Sequence, residues 1–367
     1  MSAYEYEVPL PGMYIQEELD AREWSQRDLA FILGIEETAL NKIVKGKTGI
    51  SFEMSKALAK AFDIDADFFA NLQKAYDFAR AEEPDPGVAR RAALQTIYPV
   101  REMIKRGWVG PDNLEIQVAR FLKIADANEI THVAHVAKKT NSGEEATPSQ
   151  VAWLCRVIQV AGSMSAKRYS EHALRDGLHR LHAFTIEPEE VRHVPNFLEE
   201  CGVRFIVVEG LPRGKIDGVC CWLDSSSPAI GMTLRFDRND NFWFVLRHEI
   251  EHVLRGHGRE QEIIDINLDR VSGSSEEEKQ ANDAAAEFCV PQNTMESFMV
   301  RKSPFFSERD ILAFAKTMGV HPGLVVGQFQ RKTERWDFLK RHQVKIRHLI
   351  TRVAITDGWG DTAPVTL

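Results

Sequence analysis

The pentapeptide His248-Glu249-Ile250-Glu251-His252 places two imidazoles four residues apart, with a carboxylate beside the first. On a helix, residues i and i+4 share a face. Both imidazoles can then hold one divalent ion while Glu249 points at water on that ion. Zinc brings the pKa of bound water down toward 7, and a neighbouring carboxylate takes up the proton. The spacing therefore suits metal-assisted hydrolysis. It arises by chance in roughly 2% of chains of this length and composition, and a solvated helix face carrying two histidines would show it equally. The flanking stretch FWFVLRHEIEHVLRGHG (242–258) favours the metal. It reads as an amphipathic helix that follows strand-like segments, with Phe244, Val245, Val253 and Leu254 available for a core.

A catalytic zinc needs a third protein ligand and an open position. Downstream, SSEEEKQANDAAAEFCVP (274–291) reads as a helix with an acidic first turn. Glu276, Glu277 and Glu278 are equally explained as acids that stabilise a helix N-terminus. Glu278, Ala281, Asn282 and Ala285 form one stripe, and the alanines permit close approach of a neighbouring helix. Glu278 is thus the acid expected to emerge from the packed face as the third ligand. His257 lies five residues past His252, off the ligand face, so a supporting role is expected of it. These ligand types favour zinc, and they also accept manganese or iron.

A second constellation lies near the start. WSQRDLAFILGIEETALNKIVKGKTGIS (24–51) spaces two short helices around Gly34-Ile35, so that the second could enter a major groove. Ser25 with Asp28 reads as a capping box, and Gly34 as the stop of the first helix. Thr38, Asn41 and Lys42 would be presented by the second helix. Residues 1–80, however, hold nine Lys/Arg against fourteen Asp/Glu, with Glu36 and Glu37 opening the would-be recognition helix. DNA affinity depends on cationic contacts and counterion release. A bundle this acidic binds DNA weakly unless it dimerises or discriminates strongly by shape; the alternative is a bundle that serves protein contact, with a toxin or with itself.

Around these motifs the chain reads as α+β. Helices fill 1–80, and AEEPDPG (81–87) is a charged linker. Residues 88–195 read as several helices interrupted by a loop at 138–149. Strands are expected in 203–210, 218–223 and 228–236, and helices at 241–257, 276–290, 307–318 and 321–345. The expected domains are 1–80, a helical middle region 81–195, a hydrolase core 196–300 and a helical extension 301–367. A hydrophobic content of 44% with 27% charged residues excludes disorder throughout, and a net charge of −8 excludes a uniform lysine coat. Locally, 331–352 carries eight Lys/Arg against two Asp/Glu, either a solvated helix face or a nucleic-acid contact with Trp336 for stacking. No apolar run approaches the 18 or so residues of a membrane span. The acidic start MSAYEYEVPLPG lacks the pattern of a signal peptide, and five cysteines show no C-x-x-C spacing. A reduced, cytoplasmic protein is the expectation.

The strand-rich lead-in, FWFVLRHEIEHVL and EKQANDAAAEFCVP together resemble the ImmA/IrrE family of metallopeptidases, over about residues 200–345. The resemblance implies a zincin-like core with a small twisted sheet. It maps His248, His252 and Glu278 onto the metal ligands and Glu249 onto the general base. It further implies a cytoplasmic regulator, such as a repressor or antitoxin, as substrate. Two departures are Glu251, where the family often has glycine and where a carboxylate would charge the metal's surroundings or a groove rim, and Arg255-Gly256-His257, which places His257 one residue late. The N-terminal stretch resembles the Xre-type helix-turn-helix of the HigA/VapI antitoxin class. Pro11-Gly12, Trp24 to Gln26, Gly46 to Ile50 and Leu72 to Asp77 carry that likeness. It implies operator DNA, with Gln26 on the backbone or a base edge, and a cognate toxin or a second copy as partners. Competing expectations are a repressor or antitoxin whose peptidase fold is idle or only senses, and a hydrolase acting on non-peptide bonds.

Overall fold

The computed structural model describes residues 8–122, 147–259 and 275–365, so most of the loop expected at 138–149 lies outside the described residues. The chain divides at Val88/Ala89 into two compact units.

Among the described residues the first unit contains five helices: α1 Pro11–Ala21, α2 Gln26–Leu33, α3 Glu37–Val44, α4 Phe52–Phe62 and α5 Phe68–Arg80. Their ends are set locally. Ser25 accepts from the Asp28 backbone N–H while Asp28 accepts from the Ser25 backbone N–H, closing the capping box, and Gly34 at φ +67° ends α2. Ser51 caps α4 through its hydroxyl alone, which accepts from the Met54 backbone N–H at 3.2 Å. Ile15, Leu19, Leu29, Leu40, Leu58 and Phe69 are wholly buried in a common core. Gly12 explains the Pro11-Gly12 pair physically. A Cβ there would lie 2.0 Å from the carbonyl oxygen of Val44, so only glycine lets α1 sit on the end of α3.

Among the described residues the second unit is built on a four-stranded sheet: β1 Arg204–Val208, β2 Gly218–Trp222, β3 Pro228–Met232 and β4 Ile355–Asp357, in the order β2-β3-β1-β4. β1 runs parallel to β3 and β4, and β2 runs antiparallel to β3. Successive side chains alternate between faces. Phe205, Val207, Cys220, Trp222, Ile230 and Met232 meet Trp243, Leu246 and Ile250 of the motif helix, Asn239–Arg255. Ile206, Val208, Val219, Cys221 and Ala229 meet Trp153, Val157 and Val160 of a helix at Pro148–Ser163. The sheet is thereby covered on both faces. Stretches 89–195, 196–300 and 301–365 all contribute to this one unit.

Three strands occupy the stretches where the sequence suggests them; the fourth, three residues at Ile355–Asp357, is too short to show a period. The helix expected over 321–345 is corrected. It spans Pro322–Thr333, where Glu334 in a left-handed conformation (φ +58°) breaks it, and only a short 3₁₀ turn, Lys340–His342, follows.

β4 is fastened by a buried ion pair. Asp357 accepts from Arg156 Nε at 3.0 Å and Nη2 at 2.6 Å, from Trp108 Nε1 at 2.6 Å and from the Ala363 backbone N–H at 3.0 Å. Neither charge reaches solvent. Removing one member of a buried pair strands the other, at a cost of about 3–5 kcal/mol. Asp357→Ala is therefore expected to lower the melting temperature of the second unit by on the order of 10 °C, read by calorimetry; a shift within a degree or two would show that Arg156 finds another partner.

Candidate metal centre and nucleic-acid interface

His248 and His252 lie one turn apart on the motif helix, and the helix Ser275–Cys289 packs along it. Close approach comes from Ala281 and Ala285, both wholly buried. The two Nε2 atoms are 3.0 Å apart, and Glu278 straddles them, with Oε2 3.3 Å from His248 Nε2 and Oε1 3.5 Å from His252 Nε2. Among the described residues these three form a group whose donor atoms all lie within 4.8 Å of one another. Tetrahedral zinc, with bonds of about 2.0–2.1 Å, requires neighbouring donors about 3.3–3.4 Å apart. The donor set and its spacing fit a divalent ion. The Glu278 side chain is 34% exposed whereas that of His252 is 4% exposed, so the site opens to water on the carboxylate side.

The imidazoles are held from behind. Gly256 (φ +69°) ends the motif helix, and the His257 N–H turns back to the carbonyl of His252. This brings His257 Nδ1 to 2.9 Å from His252 Nδ1 and His257 Nε2 to 3.6 Å from Glu277 Oε1. His257 thus supports His252 from outside the triangle of His248, His252 and Glu278. Asn282 hydrogen-bonds His248. Burial drives the His252 pKa down to about 4, with the neighbouring His248 acting in the same direction. For His248 burial also opposes the proton, but the carboxylates of Glu278 and Glu249 outweigh it and raise the pKa.

Glu249 turns toward β2. Its carboxylate accepts the backbone N–H of Cys220, and burial pushes its pKa up to about 7, His248 opposing. A Cβ on Gly218 would lie 2.8 Å from Glu249 Oε1, so glycine at the start of β2 leaves the carboxylate its room. Gly218 and the Cys220 amide escape a reading based on side-chain chemistry. The only sequence signal is a glycine opening the run GVCCW.

One expectation is corrected. Glu251 does not bring free negative charge to the centre or to a groove rim. It is buried and accepts from Arg247 Nη2 at 2.8 Å and Arg255 Nε at 2.6 Å. Burial works against its charge, but the two guanidinium groups prevail and hold the carboxyl below the usual range.

In the first unit, Thr38 and Lys42 on α3 are exposed, while Asn41 and Gln26 are half-buried. A chain of hydrogen bonds fixes the latter two: Asn41 Nδ2 donates to Gln26 Oε1 at 3.1 Å, Gln26 Nε2 to Gln16 Oε1 at 3.2 Å, and Gln16 Nε2 to Asp20 Oδ1 at 2.8 Å. Arg27, next to Gln26, and Lys45 and Lys47, just beyond α3, are exposed and make no ion pair among the described residues. They add to Lys42 a cationic contribution that the net charge of the stretch conceals.

The helix-turn-helix family profile matches residues 15–69. The chain is 37% identical over 76 residues to the Virulence-associated protein A' of Dichelobacter nodosus, spanning 66% of that protein and 20% of this chain. It is 32% identical over 88 residues to an uncharacterised HTH-type transcriptional regulator, YddM, of Escherichia coli K12, spanning 94% of that protein and 24% of this chain. Through its N-terminal unit the chain belongs to the helix-turn-helix family, and its relatives include a transcriptional regulator. No solved structure matches it significantly. No helix among the described residues is long and apolar enough to cross a membrane.

The donor triangle sets a direct measurement. Purified protein is expected to carry about one divalent ion per chain, and Glu278→Ala to lose most of it, as read by elemental analysis. Metal binding needs neutral imidazoles. Because the His248 pKa is raised above its ordinary 6.5 and that of His252 is pushed down to about 4, affinity should fall as the pH drops through the His248 value. Undiminished metal content in Glu278→Ala would move the third ligand elsewhere.

Proposed function

We propose that the protein is a two-part regulator: an N-terminal unit that binds operator DNA, and a second unit that is a zinc-dependent endopeptidase acting on a cytoplasmic regulatory protein, such as a repressor or antitoxin. The observation that carries the peptidase reading is the convergence of His248, His252 and Glu278 beside the buried Glu249. The resemblance to ImmA/IrrE peptidases points to the same residues.

His248, His252 and Glu278 would hold a divalent ion, which would supply Lewis acidity toward a carbonyl and toward water. Glu249 takes the proton from that water and later returns it to the leaving amine nitrogen. The Cys220 N–H and the space at Gly218 keep its carboxylate aimed, and His257 and Asn282 hold the imidazoles. An extended substrate lies along β2, which pairs only with β3 among the described residues and so offers a free edge for main-chain hydrogen bonds.

In the first unit α3 enters the major groove. Thr38, Asn41 and Lys42 face bases and phosphates, and Gln26 anchors the backbone with its amide already oriented by Gln16 and Asn41. Dimerisation over two half-sites offsets the acidic composition of 1–80. The relatedness to a transcriptional regulator also favours a second reading, in which DNA binding is the output and the metal centre only senses.

Two variants separate these readings. Glu249→Gln should retain metal and DNA binding yet stop cleavage of proteins encoded beside its gene, read by mass spectrometry. Wild-type cleavage should fall as the pH drops below about 7 and Glu249 takes up its proton; a bound cation moves that limb lower. An unchanged biological output from Glu249→Gln would favour the sensing role. Separately, Lys42→Glu should weaken binding to DNA from its own promoter by roughly tenfold and reduce the salt dependence, measured by fluorescence anisotropy; unaltered affinity would remove α3 from the groove.

A further inference from the structure

A cleft of about 430 Å³ opens beside the proposed peptidase centre, lined by Phe244 and Asp217 among others. Phe244 precedes His248 by one helical turn, an advance of about 6 Å. Asp217 precedes Gly218, the residue that stands against Glu249. A side chain next to the bond being cleaved would therefore fall within reach of this cleft.

Phe236, Phe244 and the 57% exposed Trp336 give the cleft aromatic walls, beside Leu324 and the uncharged polar Asn241 and Gln328. Both acids that border it are already neutralised. Asp217 accepts from Arg235 Nε at 2.9 Å and Nη2 at 3.0 Å, and Asp240 accepts from Arg238 Nε at 3.0 Å and Nη2 at 2.6 Å. Arg331, on the helix Pro322–Thr333, differs. Its guanidinium lies over the Phe244 ring, 4.0 Å from the centroid, and makes no ion pair among the described residues. Stacking on a ring holds a guanidinium in place while its N–H edge stays available to a carboxylate. The charge left over in the cleft is thus a single, positioned cation between aromatic surfaces.

We infer that this cleft is a specificity subsite for an acidic side chain of the substrate, aspartate or glutamate, flanking the cleaved bond, and that Arg331 selects it. The aromatic walls pack the methylene stem and the guanidinium receives the carboxylate. The inference rests on the peptidase reading and names the substrate class of that centre.

A proteome-derived peptide mixture, digested by the metal-loaded protein and sequenced by mass spectrometry, tests it. An acidic residue should be enriched about tenfold at one position beside the cleaved bond, since hydrogen bonds to charged groups contribute that much discrimination. Arg331→Glu should replace this preference with one for lysine or arginine. Cleavage by the wild type with no acidic preference, with a preference only for apolar residues, or with a preference that survives Arg331→Glu would overturn the inference. If the wild type cleaves nothing, the peptidase reading fails on its own account. The cleft is then decided by titrating acetyl-Ala-Glu-Ala-amide and its lysine counterpart against tryptophan emission. Saturable binding of the first, lost in Arg331→Glu, sustains an acid-binding site, and equal or absent binding of the two removes it.

Discussion

The second unit depends on how closely two helices can lie. Donor atoms about 3 Å apart cannot come from a single helix and an arbitrary neighbour; the neighbour's backbone must approach near enough for a short carboxylate to reach. Ala281 and Ala285, fully buried against the motif helix, provide that approach, and Glu278, one turn earlier, is carried to both imidazoles. Larger side chains at those two positions would push the carboxylate out of reach without touching either imidazole. Glu249, buried toward β2, and His252, buried on the motif helix, both sit in low-dielectric surroundings that shift their proton affinities in opposite directions.

The sheet supports this arrangement from the other side. Its edge strand β2 meets the motif helix at Gly218 and Cys220, where the absence of one side chain and the presence of one amide fix Glu249. Behind the sheet, the helix Pro148–Ser163 fills the second face and carries Arg156 to Asp357 at the far edge. A buried ion pair is a poor source of net stability, yet it specifies which strand and which tail belong there. The elements around the centre therefore include residues far from it in sequence.

Charge within the protein is distributed by local pairing more than by composition. Glu251 is an acid on the same helix as His248 and His252, yet two arginines of that helix neutralise it. In the basic stretch 331–352, Arg341 and His342 pair with Glu308, Lys332 with Glu296, and Arg347 donates to the carbonyl of Leu234. In the acidic first unit, Arg27, Lys42, Lys45 and Lys47 stay unpaired among the described residues beside the polar chain that runs from Asn41 to Asp20. Net charge would have misjudged each of these places.

The sequence by itself determined what depends on neighbours along the chain. The helical character of residues 1–80 with the caps at Ser25 and Gly34, three of the four strands described, and the motif helix all follow from periodicity and turn chemistry. The i, i+4 placement of His248 and His252 belongs here too, because helix geometry alone sets it. Tertiary structure decided the rest. His257 looks misplaced when counted along a helix, but the helix has ended at Arg255, and the left-handed turn at Gly256 folds it back beneath His252. The helix Pro148–Ser163 is buried on every side, so no polar face marks its role in the sequence. β4 is three residues long and gains its identity only from its partner, β1. Contacts between distant segments are a property of the packed whole, where burial and close approach, rather than local pattern, select the partner.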